Sequence, residues 1–575
     1  MQKTYIPGKD AALEDSIARL GAAISELGFT IEEARWLNPA PFIWSVHIRD
    51  QDCPQVFANG KGASREAALA SAYGELLERL ATRYLWADFR LTSALATFGH
   101  VHQADERWYD PQGDWPADLL DRHCRAIYDP EGELELDDLI DHNGGDSDKG
   151  VCALPYVRQS DSQTVYMPVN LIGNIFVSNG MSAGNTRDEA QVQGLSEIFE
   201  RAIKNRIIAE DIALPQVPPA VLARYPQIVA GITALEEEGF HIRALDASLG
   251  GRYPVMCVVL QNPADGGIFA SFGAHPKFAV ALERALTELL QGRALDELAG
   301  FPAPSCDREQ LTDPHNLELH FIDSSGVVGW GLLSDTPDMP FADWDDQHNN
   351  AFERQALIDL LHAEGHQVYI AEYQGLGAYA CRILVPGFSD IYPADELVWN
   401  NNNQALMWRP VLFNLAAASR DDWQGLLEAL DEHAVNDQLR VLEWAGIVGD
   451  KGTPWARLRV GELRLWLLLA LGEQEEAFEQ LGSVLASGHL TAQERQGYRA
   501  LFAVLELLLD GRDLTAYERA LSGYYGQQIL AEAQALATGV QRFPGLAALD
   551  PERPTEGHRR LMVAYGKVLQ GQLAQ

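Results

Sequence analysis

The sequence predicts an α/β (α+β) domain followed by an all-α C-terminal domain, and three observations carry that prediction. Strand-like runs are each followed by a glycine-containing or similar tight turn and a helix bearing acidic residues, and this unit occurs three times. Beyond about residue 420 the strand-like pattern stops and leucine-rich helical periodicity replaces it. The chain has 575 residues, 47% of them hydrophobic, enough for more than one sizeable core.

Taken in order, residues 11–27 carry Leu13, Ile17, Leu20, Ile24 and Leu27 at helical spacing, which predicts an amphipathic helix. Strand-like runs at 42–48 and 55–58 feed the first turn. A region rich in Pro, Asp and Gly at 107–150 predicts a long excursion over the surface. Strand signals return at 165–169 and 172–178 before the second unit, and at 255–260 and 268–272 before the third. The asparagine run at 400–403 marks the expected boundary, giving domains 1–400 and 420–575. In the second domain, 458–471 and 477–486 flank the turn Gly472-Glu473, and 498–509 and 514–521 flank Asp510-Gly511. The two turns lie about 39 residues apart, near the period of tetratricopeptide-like arrays, although an ordinary helical bundle would give the same pattern. Either way this part reads as a protein-contact module.

The repeated unit carries the chemistry. The first copy, Gly62-Ala63-Ser64-Arg65-Glu66, runs into Ser71 and then Glu75-x-x-Glu78-Arg79. The second, Gly184-Asn185-Thr186-Arg187-Asp188, runs into Gln193 and then Glu197-x-x-Glu200-Arg201. The third follows His275-Pro276 and places Arg284, Glu288 and Gln291 at the corresponding positions. On a helix, residues three and four apart share a face, so each E-x-x-E-R projects two carboxylates and a guanidinium the same way. A single copy is explained by an exposed Glu–Arg ion pair. Repetition on helices whose other residues are small or apolar predicts buried carboxylates, which must be paired, protonated or metal-bound. An oxygen-rich set of this kind suits Mg²⁺ held together with nucleotide phosphates, with the arginines facing phosphate oxygens. Thr186 and Glu189 have capping-box spacing, and Ser64 stands where Thr186 does in the second copy.

These residues resemble the YcaO family, which binds ATP without a P-loop. The resemblance lies in the S-x-x-x-E-x-x-E-R run Ser71–Arg79, the second acid helix Glu197–Arg201, the pair Arg284 and Glu288, and Val385-Pro386-Gly387 after a strand-like run, and it covers about residues 1–400. The turn Pro7-Gly8-Lys9-Asp10, leading into a helix with Ser16, is similar to a stand-alone subgroup of the family. The resemblance implies that Lys9, Ser16, Ser182, Asn185, Arg201 and Arg284 contact ATP, and that Glu75, Glu78, Glu197, Glu200 and Glu288 hold Mg²⁺. It further implies that ATP, split to ADP and phosphate, activates a backbone amide of a protein or peptide substrate to which a nucleophile has added. Azoline-forming members end in a P-x-P-x-P tail, whereas this chain ends Gln570-Gly571-Gln572-Leu573-Ala574-Gln575, so heterocycle formation is not expected. The similar subgroup is described as an accessory factor for methylthiolation of a small-subunit ribosomal protein, which implies a ribosomal protein or its methylthiotransferase as partner. The oligomeric state stays open, a homodimer included.

Composition bounds the alternatives. A formal charge of −38 opposes direct binding to nucleic acid or an anionic membrane and is compatible with basic protein partners. Six cysteines, Cys53, Cys124, Cys152, Cys257, Cys306 and Cys381, form no C-x-x-C pair, which predicts a reducing cytoplasm and no zinc or iron–sulfur site. The most apolar run, 465–471, is too short to span a bilayer. Residues 59–64 (Asn-Gly-Lys-Gly-Ala-Ser) lack P-loop spacing, and Lys61 reads as either an exposed turn lysine or a phosphate contact. The G-x-G-x-x-A run from Gly375 to Ala380 precedes a strand-like stretch rather than a helix and is rejected as a dinucleotide motif. His275 reads either as a loop or helix-start residue or as one that helps shape the cleft, the first being favoured.

Overall fold

The computed structural model describes residues 3–92, 95, 98–144, 149–392 and 405–573; the asparagine run expected to mark the boundary lies outside them. Twelve strands among these residues form three antiparallel sheets. β1 (Ile31–Ala40), β2 (Ile43–Asp50) and β3 (Phe57–Gly62) form the first in that order. β8 (His241–Asp246), β9 (Val255–Gln261) and β10 (Ile268–Ala274) form the second. The third runs β4 (Arg107–Tyr109), β5 (Val151–Arg158), β11 (Tyr369–Tyr373), β12 (Tyr379–Leu384) and β7 (Met181–Gly184), with β6 (Thr164–Pro168) also on β5.

One strand of each sheet delivers an acid helix. β3 leads into the first, Arg65–Ala81; β7 into the second, Arg187–Glu210; β10 into the third, Phe278–Leu289. In all three the helix backbone rides directly on the strand. A Cβ on Gly60 would lie 2.0 Å from the Ala68 carbonyl oxygen, and one on Gly273 2.5 Å from that of Ala281. The equivalent position in the second unit is Ser182, whose Oγ donates to the Ala190 carbonyl at 2.7 Å, with Gly194 making room for it. The Ser64 and Thr186 hydroxyls accept from the Ala67 and Glu189 N–H groups at 3.1 and 3.2 Å, as N-caps do.

The structure departs from the sequence expectation in several places. Residues 172–178 are not a strand: a short helix, Val169–Leu171, continues into a π-turn, Ile172–Phe176. Leu171, Ile172, Ile175 and Phe176 recur at helical spacing and are buried, an apolar run too short for periodicity to assign in advance. The 107–150 region is no surface excursion, because Leu119, Leu120, Cys124 and Leu139 pack into a core against β5 and β6. β1, with its polar Glu32, Glu33 and Arg35, was not anticipated.

The C-terminal helices share one core of their own. Val460–Leu471 ends on Gly472 in the left-handed region (φ 82°) and turns into Gln474–Ala486, as the first hairpin predicts. In the second hairpin the return of Ala492–Leu509 is broken: a 3₁₀ turn and Glu518–Tyr525 precede Gly526, and Gln527–Ala537 is the main packing partner. The last helix, Glu556–Leu573, leaves this body. Leu561, Tyr565, Val568 and Leu569 are buried with Leu76, Leu77 and Trp86 in the core of the first sheet. The Trp86 indole N–H donates to the Leu561 carbonyl at 3.1 Å and Lys567 Nζ to that of Gly28 at 2.8 Å. By packing, the end of the 420–575 segment therefore belongs with the first acid helix. Each such buried leucine contributes about 1.5–3 kcal/mol.

Candidate functional site

The three acid helices face one cleft, and the bases around it form four ion pairs. Arg79 meets Glu75 at 2.6 Å and Arg201 meets Glu197 at 2.6 Å, both the i, i+4 pairs that E-x-x-E-R spacing dictates. Two further pairs join different units: Arg284 Nη2 lies 3.7 Å from Glu200 Oε2, and Lys61 pairs with Glu288. Arg284 Nη1 also donates to Gln193 Oε1 at 2.6 Å, and Glu200 accepts the Ala274 N–H at the end of β10 at 3.2 Å. Five carboxylates thus share four ion pairs, and buried Lys204, whose Nζ donates to the His320 carbonyl at 2.6 Å, is a fifth base whose charge reaches Glu200 and Glu197. Glu78 has no ion pair among the described residues, and burial together with the charges of Glu197 and Glu75 holds its carboxyl well above the usual carboxylate range. Burial raises Glu75 as well, opposed by Arg79 and Lys61. Desolvation and then the Arg284 charge pull Lys61 down to about 8.

Among the described residues no three His, Cys, Asp or Glu side chains converge on one metal-sized point.

A second cluster sits one to two turns nearer the start of the second acid helix. Glu189, 3% exposed, accepts the Asp10 N–H at 2.8 Å and the Asn185 side-chain amide, whose Nδ2 lies 3.1 and 2.9 Å from its two oxygens, and lies 3.3 Å from Lys9 Nζ. Its carboxylate is thus spent on the N-terminal turn and not on the reciprocal half of a capping box. Asn185 Oδ1 in turn accepts from Ser16 Oγ at 2.8 Å and Arg19 Nη2 at 2.5 Å. Buried His275 lies against Gly8, and desolvation with the charges of Arg284 and Lys9 keeps it neutral.

The structure therefore brings Lys9, Ser16 and Asn185 together at one end, and Arg201, Arg284, Glu75, Glu78, Glu197, Glu200 and Glu288 together at the other. Glu189, Gln193, Glu197 and Glu200 form one stripe along the helix, about 16 Å long. Ser182 stands apart: fully buried, its hydroxyl bonds the helix backbone and lies 3.2 Å from Cys381 Sγ. The expectation missed Glu189, although its four- and eight-residue spacing from Gln193 and Glu197 was a readable signal.

A family model described as "YcaO cyclodehydratase", ATP- and Mg²⁺-binding, matches residues 59–389, and a second, the YcaO cyclodehydratase C-terminal domain, matches 405–573. The chain is 50% identical over 576 residues to an uncharacterized protein of Haemophilus influenzae, covering 99% of this chain and 98% of that one. It is 49% identical over 582 residues to the ribosomal protein S12 methylthiotransferase accessory factor YcaO of Escherichia coli, covering 100% and 99%. Among solved structures, a heterocyclase in complex with substrate and cofactor aligns at TM-score 0.46 and 17% identity, covering 68% of this chain and 54% of that one. YcaO from Methanopyrus kandleri, bound with AMPPCP and Mg²⁺, aligns at TM-score 0.39 and 20% identity, covering 65% and 91%. The chain belongs to the YcaO family, whose domain binds ATP and Mg²⁺.

Proposed function

We propose that this protein uses ATP and Mg²⁺ to activate a backbone amide of a protein or peptide by phosphorylating the amide oxygen. The observation that carries the reading is the cluster in which five carboxylates, contributed by three repeats of one unit, share four ion pairs. The donor set fits the ligands: carboxylate oxygens suit Mg²⁺, and guanidinium groups suit phosphate. Glu75, Glu78, Glu197, Glu200 and Glu288 would hold the cations. Mg²⁺-bound ATP supplies an activated phosphoryl group. Arg201, Arg284 and Lys61, released from their carboxylates, would turn to phosphate oxygens and stabilise the charge that develops there. Lys9, Ser16 and Asn185 would hold the other end of the nucleotide. The substrate would bring the nucleophile.

A second reading rests on the Escherichia coli relative's name: this chain would act as an accessory factor for ribosomal protein methylthiolation, binding the methylthiotransferase or its ribosomal substrate. A charge of −38 favours a basic partner of that kind.

Calorimetry tests the site and mass spectrometry the reaction. Glu200→Ala should weaken Mg²⁺–ATP binding at least tenfold, about 1.4 kcal/mol; unchanged affinity removes the acid helices from the site. Proteins captured on wild-type chain with Mg²⁺ and ATP should show a changed backbone mass that is absent after capture on Glu200→Ala. An unchanged mass, with the same partner held by both, leaves the accessory reading alone.

A further inference from the structure

Where the first acid helix ends, a cavity of about 80 Å³ lies between its last residues, the 3₁₀ turn Tyr84–Trp86, β11 and β12, and the returning C-terminal helix. Two arginines line it. Arg83, 5% exposed and in the left-handed region (φ 62°), donates from Nη1 to the Leu80 carbonyl at 2.7 Å, while its Nε and Nη2 have no hydrogen-bond partner within the protein. Arg382, on β12 and also 5% exposed, donates from Nη2 to the carbonyls of Ile172, at 3.2 Å, and Val177, and its Nε has no partner. Among the described residues neither arginine makes an ion pair.

Two acids lie nearby. Asp141, in the lining, accepts the Asn143 N–H at 3.0 Å, and the charge of Glu106 favours the charged form of Arg83. Glu106 accepts the N–H groups of Val101, His102 and Gln103 and the Trp108 indole. Tyr156 and Tyr373 also line it, and burial raises both hydroxyls above the usual phenol range, so both keep their protons. Water can satisfy a guanidinium N–H, and an oxyanion satisfies it with acceptor oxygens that also carry the charge two buried guanidinium groups attract.

We propose that this cavity binds a small oxyanion, a carboxylate or a phosphate group, between Arg83 and Arg382. The volume excludes a nucleotide and admits one such group. Thr82, at its rim, stands one turn beyond Glu78, about 6 Å along the helix axis, so the anion would sit beside the acid cleft. It would be a carboxylate of a bound peptide or a free phosphate, and Tyr565 in the lining ties the pocket to the C-terminal helix.

Titration of the full-length protein with inorganic phosphate, and separately with acetate, tests this. Saturable binding of at least one probe is expected, weakened at least tenfold in both Arg83→Gln and Arg382→Gln; which probe binds identifies the source. No saturable binding overturns the proposal, as does binding that survives in both variants but is lost in Arg201→Gln, which would locate it in the acid cleft. If the variants do not fold, wild-type crystals soaked in selenate decide: density between the two arginines supports the site, and density only elsewhere, or none, overturns it.

Discussion

Two carboxylate clusters share the second acid helix and have opposite character. Glu189 is enclosed by donors, namely Lys9, the Asp10 N–H and the Asn185 amide, and needs nothing more. Two turns on, Glu197 and Glu200 face Glu75, Glu78 and Glu288, and among the described residues Glu78 has no ion pair. The difference teaches that burial alone does not make a carboxylate a ligand. A glutamate whose neighbours are donors is a structural tie, and one whose neighbours are other carboxylates is open to a cation.

Opposite responses to substitution would sharpen that contrast. Glu189→Ala should destabilise the docked N-terminal turn by about 3 kcal/mol, because it strands buried donors and a lysine. Hydrogen exchange of residues 3–12 measures this, and a change under about 0.5 kcal/mol would erase the distinction between the clusters.

His558 offers a neutral counterpart to Glu189. Its Nε2 lies 2.9 Å from the Arg90 carbonyl and its Nδ1 3.4 Å from the Val448 nitrogen, and burial holds its pKa at about 4. The undocked helix takes up a proton below about pH 6.5, and the docked one only near pH 4. Docking of Glu556–Leu573 is therefore full above pH 6.5 and weakens as pH falls, by about 2 kcal/mol at pH 5. Exchange of that helix, corrected for intrinsic rate, should show about a 20-fold larger opening constant at pH 5 than at pH 7. Replacing His558 with Asn should flatten this dependence, and a variant that keeps the slope rules out the histidine as its source.

The smallest effect has the opposite sign. Glu78→Gln removes the carboxylate without an ion pair, so metal-free protein should gain up to about 1 kcal/mol in thermal stability while losing affinity for Mg²⁺–ATP. A metal-free loss of stability would mean that Glu78 is a structural tie like Glu189.

Much of the site was legible from spacing. The i, i+4 pairs Glu75–Arg79 and Glu197–Arg201 form because helix geometry places those side chains together whatever surrounds them. The N-caps Ser64 and Thr186 act within one turn and were readable for the same reason. The break at Gly526 and the π-turn at 172–176 were not, since runs that short carry too few residues for periodicity to assign them.

The sequence by itself determined the threefold strand-and-acid-helix unit, the helical C-terminal part and the kinds of residue in the cleft, because periodicity and turn chemistry are local. Tertiary structure alone decided that Glu200 meets Arg284, Glu288 meets Lys61 and Glu189 meets Lys9. It also decided that the last helix closes the first core, and that Arg83 and Arg382 share a cavity. These partners are far apart in the chain, and what joins them is the packing of sheets and helices, which local spacing does not encode.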